Sequence, residues 1–169
     1  SLPLTSVTIP DSVTHISQKA FSCCFQLTSI TLPSGLTAIE SGTFDLCKSL
    51  TTIDIPDSVA AIADDAFIGC KALQSFTLSP NHPYFFLADG ALCRTVDNTL
   101  LFYPNARENR TYRIPDGIAA ISAYAFYDCD LLESVVIPDS ITQIPERAFY
   151  GCSALASVSL PDSLTEIGI

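Results

Sequence analysis

Prolines 10, 33 and 56 are evenly spaced along the chain, and prolines 115, 138 and 161 keep the same interval. Each opens a segment of one design, such as PDSVTHISQKAFSCCFQLTSITL or PDSITQIPERAFYGCSALASVSL. A fixed period in the range of roughly 20 to 50 residues outranks any local reading of a chain. With proline as position 1, position 7 is Ile16, Ile39, Ile62, Ile121, Ile144 and Ile167, and position 12 is Phe21, Phe44, Phe67, Phe126 and Phe149. Position 18 is Leu4, Leu27, Leu50, Leu73, Leu132 and Leu155. Positions 21 and 23 are aliphatic apart from Phe76, and position 11 is alanine apart from Thr43. A unit this short cannot bury so many apolar side chains alone, so the units must stack and share one core. The chain is therefore expected to fold as a solenoid.

Positions 18 to 23, for instance Leu27 to Leu32, end in apolar/polar alternation rich in β-branched residues and read as one short strand per repeat. Stacking makes these strands parallel, about 4.8 Å apart. Positions 4 to 7, such as Val13 to Ile16, suit a second short extended segment. The stretch before Ala-Phe is too short for more than a turn of helix. With 48% hydrophobic residues the chain has ample material for a core, and it contains no apolar run long enough to span a membrane. A net charge of −10 argues against nucleic acid or an anionic bilayer as partner. No basic and apolar leader opens the chain, which reads as a mature or excised segment.

The pattern AF-x-x-C-x-x-L-x-x-I-x-[IL]-P-[DS]-[SG]-[VIL]-x-x-I resembles the BspA-like class of leucine-rich repeat, over essentially the whole chain. The resemblance implies an α/β-type leucine-rich-repeat solenoid made mostly of short parallel strands and turns, with little helix. It also implies a cell-surface or secreted protein with a role in adhesion. Residues 1–169 are expected to form a single domain. Its parts are a partial repeat 1–9, repeats 10–32, 33–55 and 56–78, an irregular repeat 79–114, repeats 115–137 and 138–160, and a partial repeat 161–169. The partial repeats carry no polar cap, so a fragment of a longer array, or self-association through uncapped solenoid ends, is expected.

In the irregular repeat, Tyr84 to Leu87, Ala91 to Thr95 and Thr99 to Tyr103 have strand composition and are separated by the turn formers Asp89-Gly90 and Asp97-Asn98. A β-hairpin or meander projecting from the solenoid is expected. The family resemblance extends here, since its irregular repeats carry a DG-x-L hairpin; Cys93 stands where an aromatic residue is commoner.

Five of the seven cysteines, Cys24, Cys47, Cys70, Cys129 and Cys152, share position 15, which predicts buried free thiols donating weakly to loop carbonyls. A metal site fails on spacing, because ligands a full repeat apart along a line cannot surround one ion. Cys23 and Cys93 have no obvious partner. His15 reads as a surface residue and His82, in Asn81-His-Pro83, as a turn residue, the two about 14 Å or more apart. No catalytic group, cofactor site or metal site is assigned. Position 2 is Asp11, Asp57, Asp116, Asp139 and Asp162; turn capping is preferred over calcium binding for this column.

Positions 20 and 22 should face outward on a concave sheet. They carry Ser29, Thr31, Thr52, Asp54, Ser75 and Thr77, a hydroxyl-lined surface without Trp, Tyr or Arg. The irregular repeat holds what that face lacks: Tyr84, Phe86, Tyr103 and Tyr112, with Arg107, Arg110 and Arg113 forming a basic patch. Asn109-Arg110-Thr111 is a glycosylation acceptor sequence, meaningful only in a eukaryotic secretory pathway. A non-enzymatic module binding a protein or glycan through the Ser/Thr face, the insertion, or both is expected; the alternative is a passive spacer presenting other domains.

Overall fold

The computed structural model describes residues 3–168; residues 1, 2 and 169, at the outer ends of the two partial repeats, lie outside it. Successive coils each place a three-residue strand on one front face, and most add a two-residue strand on a second side. In chain order these are β1 (Ser6–Thr8), β2 (Ser29–Thr31) with β3 (Ala38–Ile39), and β4 (Thr52–Asp54) with β5 (Ala61–Ile62). Next come β6 (Ser75–Thr77) and a meander of β7 (Phe85–Ala88), β8 (Ala91–Arg94) and β9 (Thr99–Phe102). The chain continues with β10 (Thr111–Arg113) and β11 (Ala120–Ile121), β12 (Ser134–Val136) and β13 (Gln143–Ile144), and β14 (Ser157–Ser159) and β15 (Glu166–Ile167). No helix forms among the described residues.

The front strands pair in parallel with the equivalent residues of the next coil, as in Val7 with Ile30, Ile53 with Phe76, and Val135 with Val158. The expected strand over positions 18 to 23 shrinks to positions 20 to 22. Leu27 and its equivalents lie in turns closed by backbone bonds, such as Leu27 N–H to Cys24 O at 3.0 Å. The second extended segment is present as β3, β5, β11, β13 and β15. Where a helix turn was conceivable, positions 8 to 16 form consecutive turns with left-handed residues at positions 10 and 14. Lys19, Tyr124 and Arg147 fill the first (φ 59°, 64° and 60°), and Cys23, Leu46 and Asp128 the second (φ 60°, 58° and 56°). Repeated positive φ excludes a helix there. The carbonyls and amides so freed bond to the next coil instead, as in Phe44 N–H to Ala66 O at 2.9 Å.

Inside, the phenylalanine column is a ladder. Phe21 and Phe44 stack with centroids 5.8 Å apart, Phe44 and Phe67 at 5.5 Å, and Phe126 and Phe149 at 4.9 Å. Two side chains of the irregular repeat bridge the break: Phe102 meets Phe67 edge-on at 5.1 Å and Tyr103 meets Phe126 at 5.6 Å. Beside this ladder runs a cysteine ladder in which Cys47, Cys70, Cys129 and Cys152 each donate to a carbonyl of the preceding coil, on Phe21, Phe44, Tyr103 and Phe126. All seven cysteines are free thiols.

The meander does not project. Strand β9 pairs in parallel with the side strand β11 (Thr99 with Ala120, Leu100 with Ile121), so the four-stranded sheet β11-β9-β8-β7 is built into the solenoid wall. Its inward residues Phe85, Leu92, Leu101 and Phe102 join the core of the first coils, and Cys93 and Leu100 join that of the later ones, where Tyr103 and Tyr112 of the following segment also lie. The meander's apolar residues thus pack into the cores of the coils on either side rather than into a core of their own. The front sheet divides into β1-β2, β4-β6 and β10-β12-β14, and no ladder joins β6 to β10, the two front strands flanking the meander.

Candidate functional site

Because positions 21 and 23 are drawn into the core, the pleat turns positions 20 and 22 outward. Ser29, Thr31, Thr52, Asp54, Ser75 and Thr77 are all exposed, as expected. Four of these side chains bond along the solenoid axis, Thr77 Oγ1 to Asp54 Oδ1 at 2.6 Å and Ser75 Oγ to Thr52 Oγ1 at 3.2 Å. The face therefore presents pre-ordered hydroxyls and one carboxylate, each with spare donor or acceptor capacity toward solvent. The irregular repeat continues both columns through Thr111 and Arg113, which pair with Ser134 and Val136. The face is thus not free of arginine. Counting back one repeat from Ser134 would have found both residues.

The aromatic insertion is largely core. Tyr103 and Tyr112 are only 3% and 2% exposed, which removes them as partner contacts. Their rings pack 4.7 Å apart, and their hydroxyls are spent internally, Tyr112 on Ala88 O at 2.8 Å and Tyr103 on Asn109 O at 3.3 Å. Tyr103 lies one repeat before Phe126, and Tyr112 one repeat before Val135, so both occupy inward columns. Burial pushes the Tyr103 phenol up to about 12. Tyr84 is exposed, at 43%, and Phe86 is half-buried.

The basic patch is also neutralised. Arg107 binds both the carbonyl and the carboxylate of Asp89, Arg110 pairs with Glu133, and Arg113 lies 3.4 Å from Asp116. Arg107 thereby latches the Asp89-Gly90 turn, whose two positive φ angles (45° and 83°) make the two-residue hairpin connection. A Cβ at Gly90 would collide with the Arg107 guanidinium.

His15 is exposed, as expected, but His82 is buried. Its Nδ1 accepts from the amides of Tyr84 and Phe85 at 3.3 and 3.2 Å, and its Nε2 faces Pro56 O at 3.0 Å. Both nitrogens are thus committed to backbone that anchors the start of the meander. In the aspartate column Asp11 and Asp57 work between coils, while their own turns are closed by the proline carbonyl, as in Val13 N–H to Pro10 O. Asp11 accepts from Ser34 N–H and Oγ at 2.8 and 2.9 Å, and Asp57 from Ser79 Oγ at 2.6 Å. These bonds from Ser34 hold the Asp11 carboxyl below its usual range. Among the described residues no three His, Cys, Asp or Glu side chains converge as metal ligands.

One surface cluster escaped the sequence reading. On the turn edge, Tyr127 and Tyr150 stack at 5.0 Å, Tyr124 meets Tyr127 at 5.7 Å, and Arg147 lies 3.3 Å from the Tyr124 hydroxyl. The signal was present, since Tyr127 and Tyr150 share position 13, and Tyr124 and Arg147 share position 10.

Comparison with known proteins matches residues 1–87 and 102–169 to six copies of the BspA type leucine rich repeat region. A search of curated proteins found no match. Among solved structures, the pneumococcal vaccine antigen PcpA superposes with a TM-score of 0.88 over 98% of this chain and 47% of its own, at 21% identity. A leucine-rich cell surface protein of Faecalibacterium prausnitzii gives a TM-score of 0.64 at 27% identity, covering 92% of this chain and 59% of its own. A leucine-rich repeat protein of Bacteroides ovatus gives 0.64 at 30% identity, with 98% and 45% covered. The chain therefore spans about half the length of these relatives.

Proposed function

Since this chain belongs to the BspA-type leucine-rich repeat family, we propose that it is a non-enzymatic binding or adhesion module of a cell-surface or secreted protein. The observation that carries this reading is the exposed front face, where coil after coil offers hydroxyls in two columns on a rigid backbone. Such a face suits a protein or glycan partner, because hydroxyls both donate and accept and lose little rotamer freedom when bound. Single contacts of this kind are weak, and their number along a solenoid compensates. Tyr84, at the edge of the irregular repeat, supplies an accessible aromatic contact, with Phe86 half-buried beside it. The Faecalibacterium relative, described as a cell surface protein, supports the location.

The test is to immobilise a panel of extracellular matrix proteins and a glycan array and to apply the chain alongside a Thr52→Arg/Ser75→Arg variant. Saturable retention of the wild type and loss of retention in the variant support the reading. A chain retained by nothing in either format is the passive spacer.

A further inference from the structure

Strand β7 is the free edge of the four-stranded sheet β11-β9-β8-β7. The bond from Thr95 N–H to Tyr84 O at 2.9 Å sets the parity of the β7–β8 ladder. In an antiparallel pair only alternate residues exchange bonds, so Phe86 and Ala88 bond to β8 while Leu87 turns both its N–H and its C=O away from it. Native edge strands are protected by charge, proline or a bulge; Phe85-Phe86-Leu87-Ala88 contains no charged residue and no proline, and Leu87 is 40% exposed. Beside this edge lies a cleft of about 310 Å³ whose opposite wall is Leu78, Ser79 and Pro80. That volume is at the lower end of the range for ligand clefts.

The opposite wall is also missing a bond. Ile9, Ile55, Ile114 and Ile137 each donate their N–H to a carbonyl of the next coil, on Thr31, Thr77, Val136 and Ser159, stitching successive coils together. Leu78 occupies the same place in its coil, yet its N–H has no such acceptor among the described residues, because β6 and β10 are not paired. Leu32 shares this feature where β2 and β4 part; Leu78 adds to it a facing strand edge. A cleft that mixes apolar side chains with unpaired main-chain groups on both walls calls for a ligand that alternates N–H and C=O and carries apolar side chains. An extended peptide has that chemistry.

We propose that the β7 edge and the Leu78–Phe86 cleft form a peptide-binding site, in which an extended, uncharged segment of a partner protein adds as a strand to β7. Main-chain bonds to Leu87 supply affinity, and an apolar side chain in the cleft supplies selectivity. This deepens the binding reading for the irregular repeat alone and leaves the front face to act independently.

The experiment uses a phage-displayed random dodecapeptide library selected on the intact chain. Enriched peptides, synthesised and titrated, are expected to bind Leu87→Pro at least tenfold more weakly than wild type, and Leu87→Ala within threefold, because only the former removes the edge N–H. Leu87→Pro should melt close to wild type, since that N–H is unused within the fold. The proposal is overturned if no peptide enriches, if enriched peptides bind Leu87→Pro as well as wild type, or if Leu87→Pro unfolds the chain. Dimerisation of the chain that Leu87→Pro abolishes would also overturn it, by identifying the occupant as a second copy. Peptide binding unaffected by Thr52→Arg/Ser75→Arg separates this site from the front face, so either can fail alone.

Discussion

The Nε2 of His82 lies 3.0 Å from the carbonyl oxygen of Pro56, in the preceding coil, while its Nδ1 accepts from two amides at the start of the meander. One imidazole thus ties the irregular repeat to the regular coil beneath it. Replacement by alanine leaves the Tyr84 and Phe85 amides without their acceptor, and leaves the Pro56 carbonyl with only the turn bond from Val59 N–H, in a place where His82 itself is 8% exposed. His82→Ala should therefore cost about 1–3 kcal/mol in urea denaturation, with amide exchange at Phe85 rising more than at Ile53. Uniform exchange changes would show that the histidine does not anchor the meander.

The phenylalanine ladder predicts a graded response. Phe67 is 3% exposed and contacts Phe44, Phe76 and Phe102, so Phe67→Ala should cost about 3–5 kcal/mol by cavity formation. Phe21 is only half-buried, and Phe21→Ala should cost clearly less in the same denaturation series.

Two glycines contrast a strained and crowded position with an open one. Gly69 has φ +71° and a Cβ there would lie 2.7 Å from Leu46 Cδ2, whereas Gly117 has nothing within 4 Å and no positive φ. Gly69→Ala should destabilise by about 1–2 kcal/mol. Gly117→Ala should be neutral or stabilising by up to about 1 kcal/mol, and thermal melts of the pair provide the comparison.

The thiols should react in order of exposure. Cys23 is exposed, Cys24 and Cys152 are half-buried, and Cys47, Cys70, Cys93 and Cys129 are buried, with burial pushing Cys47 and Cys93 up to about 12. Native iodoacetamide labelling read by mass spectrometry should modify Cys23 first and leave the four buried thiols intact until the chain unfolds. Early labelling of Cys70 would contradict the ladder.

Acid should weaken one clasp of the meander. Hydrogen bonds from Arg94, 2.6 Å away, hold the Asp97 carboxyl at about 2, below its ordinary 3.8. A folded pKa lowered in this way contributes stability above about pH 4, and loses it as pH falls from about 4 towards 2. Wild type should therefore exceed Asp97→Asn in urea midpoint at pH 6, and the two should converge near pH 2.

The regular coils were legible because every inward position recurs once per repeat, and a column of identical side chains leaves one way to stack. Tyr103 and Tyr112 were misread for a related reason. Their register resumes only when counted back from Phe126 and Val135, and counting forward from Pro56 hides it behind the irregular repeat. The His82 anchor left no periodic trace, since its partners are main-chain atoms that any residue supplies. The unpaired edge at Leu87 depends on ladder parity, which the composition of a strand does not specify.

Binding of a partner by the front face is tested most directly by a ratio of dissociation constants. Against the strongest ligand from the immobilised panel, Thr52→Arg/Ser75→Arg should bind at least tenfold more weakly than wild type, about 1.4 kcal/mol. Leu131→Ala, on the exposed turn edge, should bind equally and melt close to wild type. A front-face variant that binds as tightly as wild type, with an unchanged melting temperature, would show that the partner does not bind there.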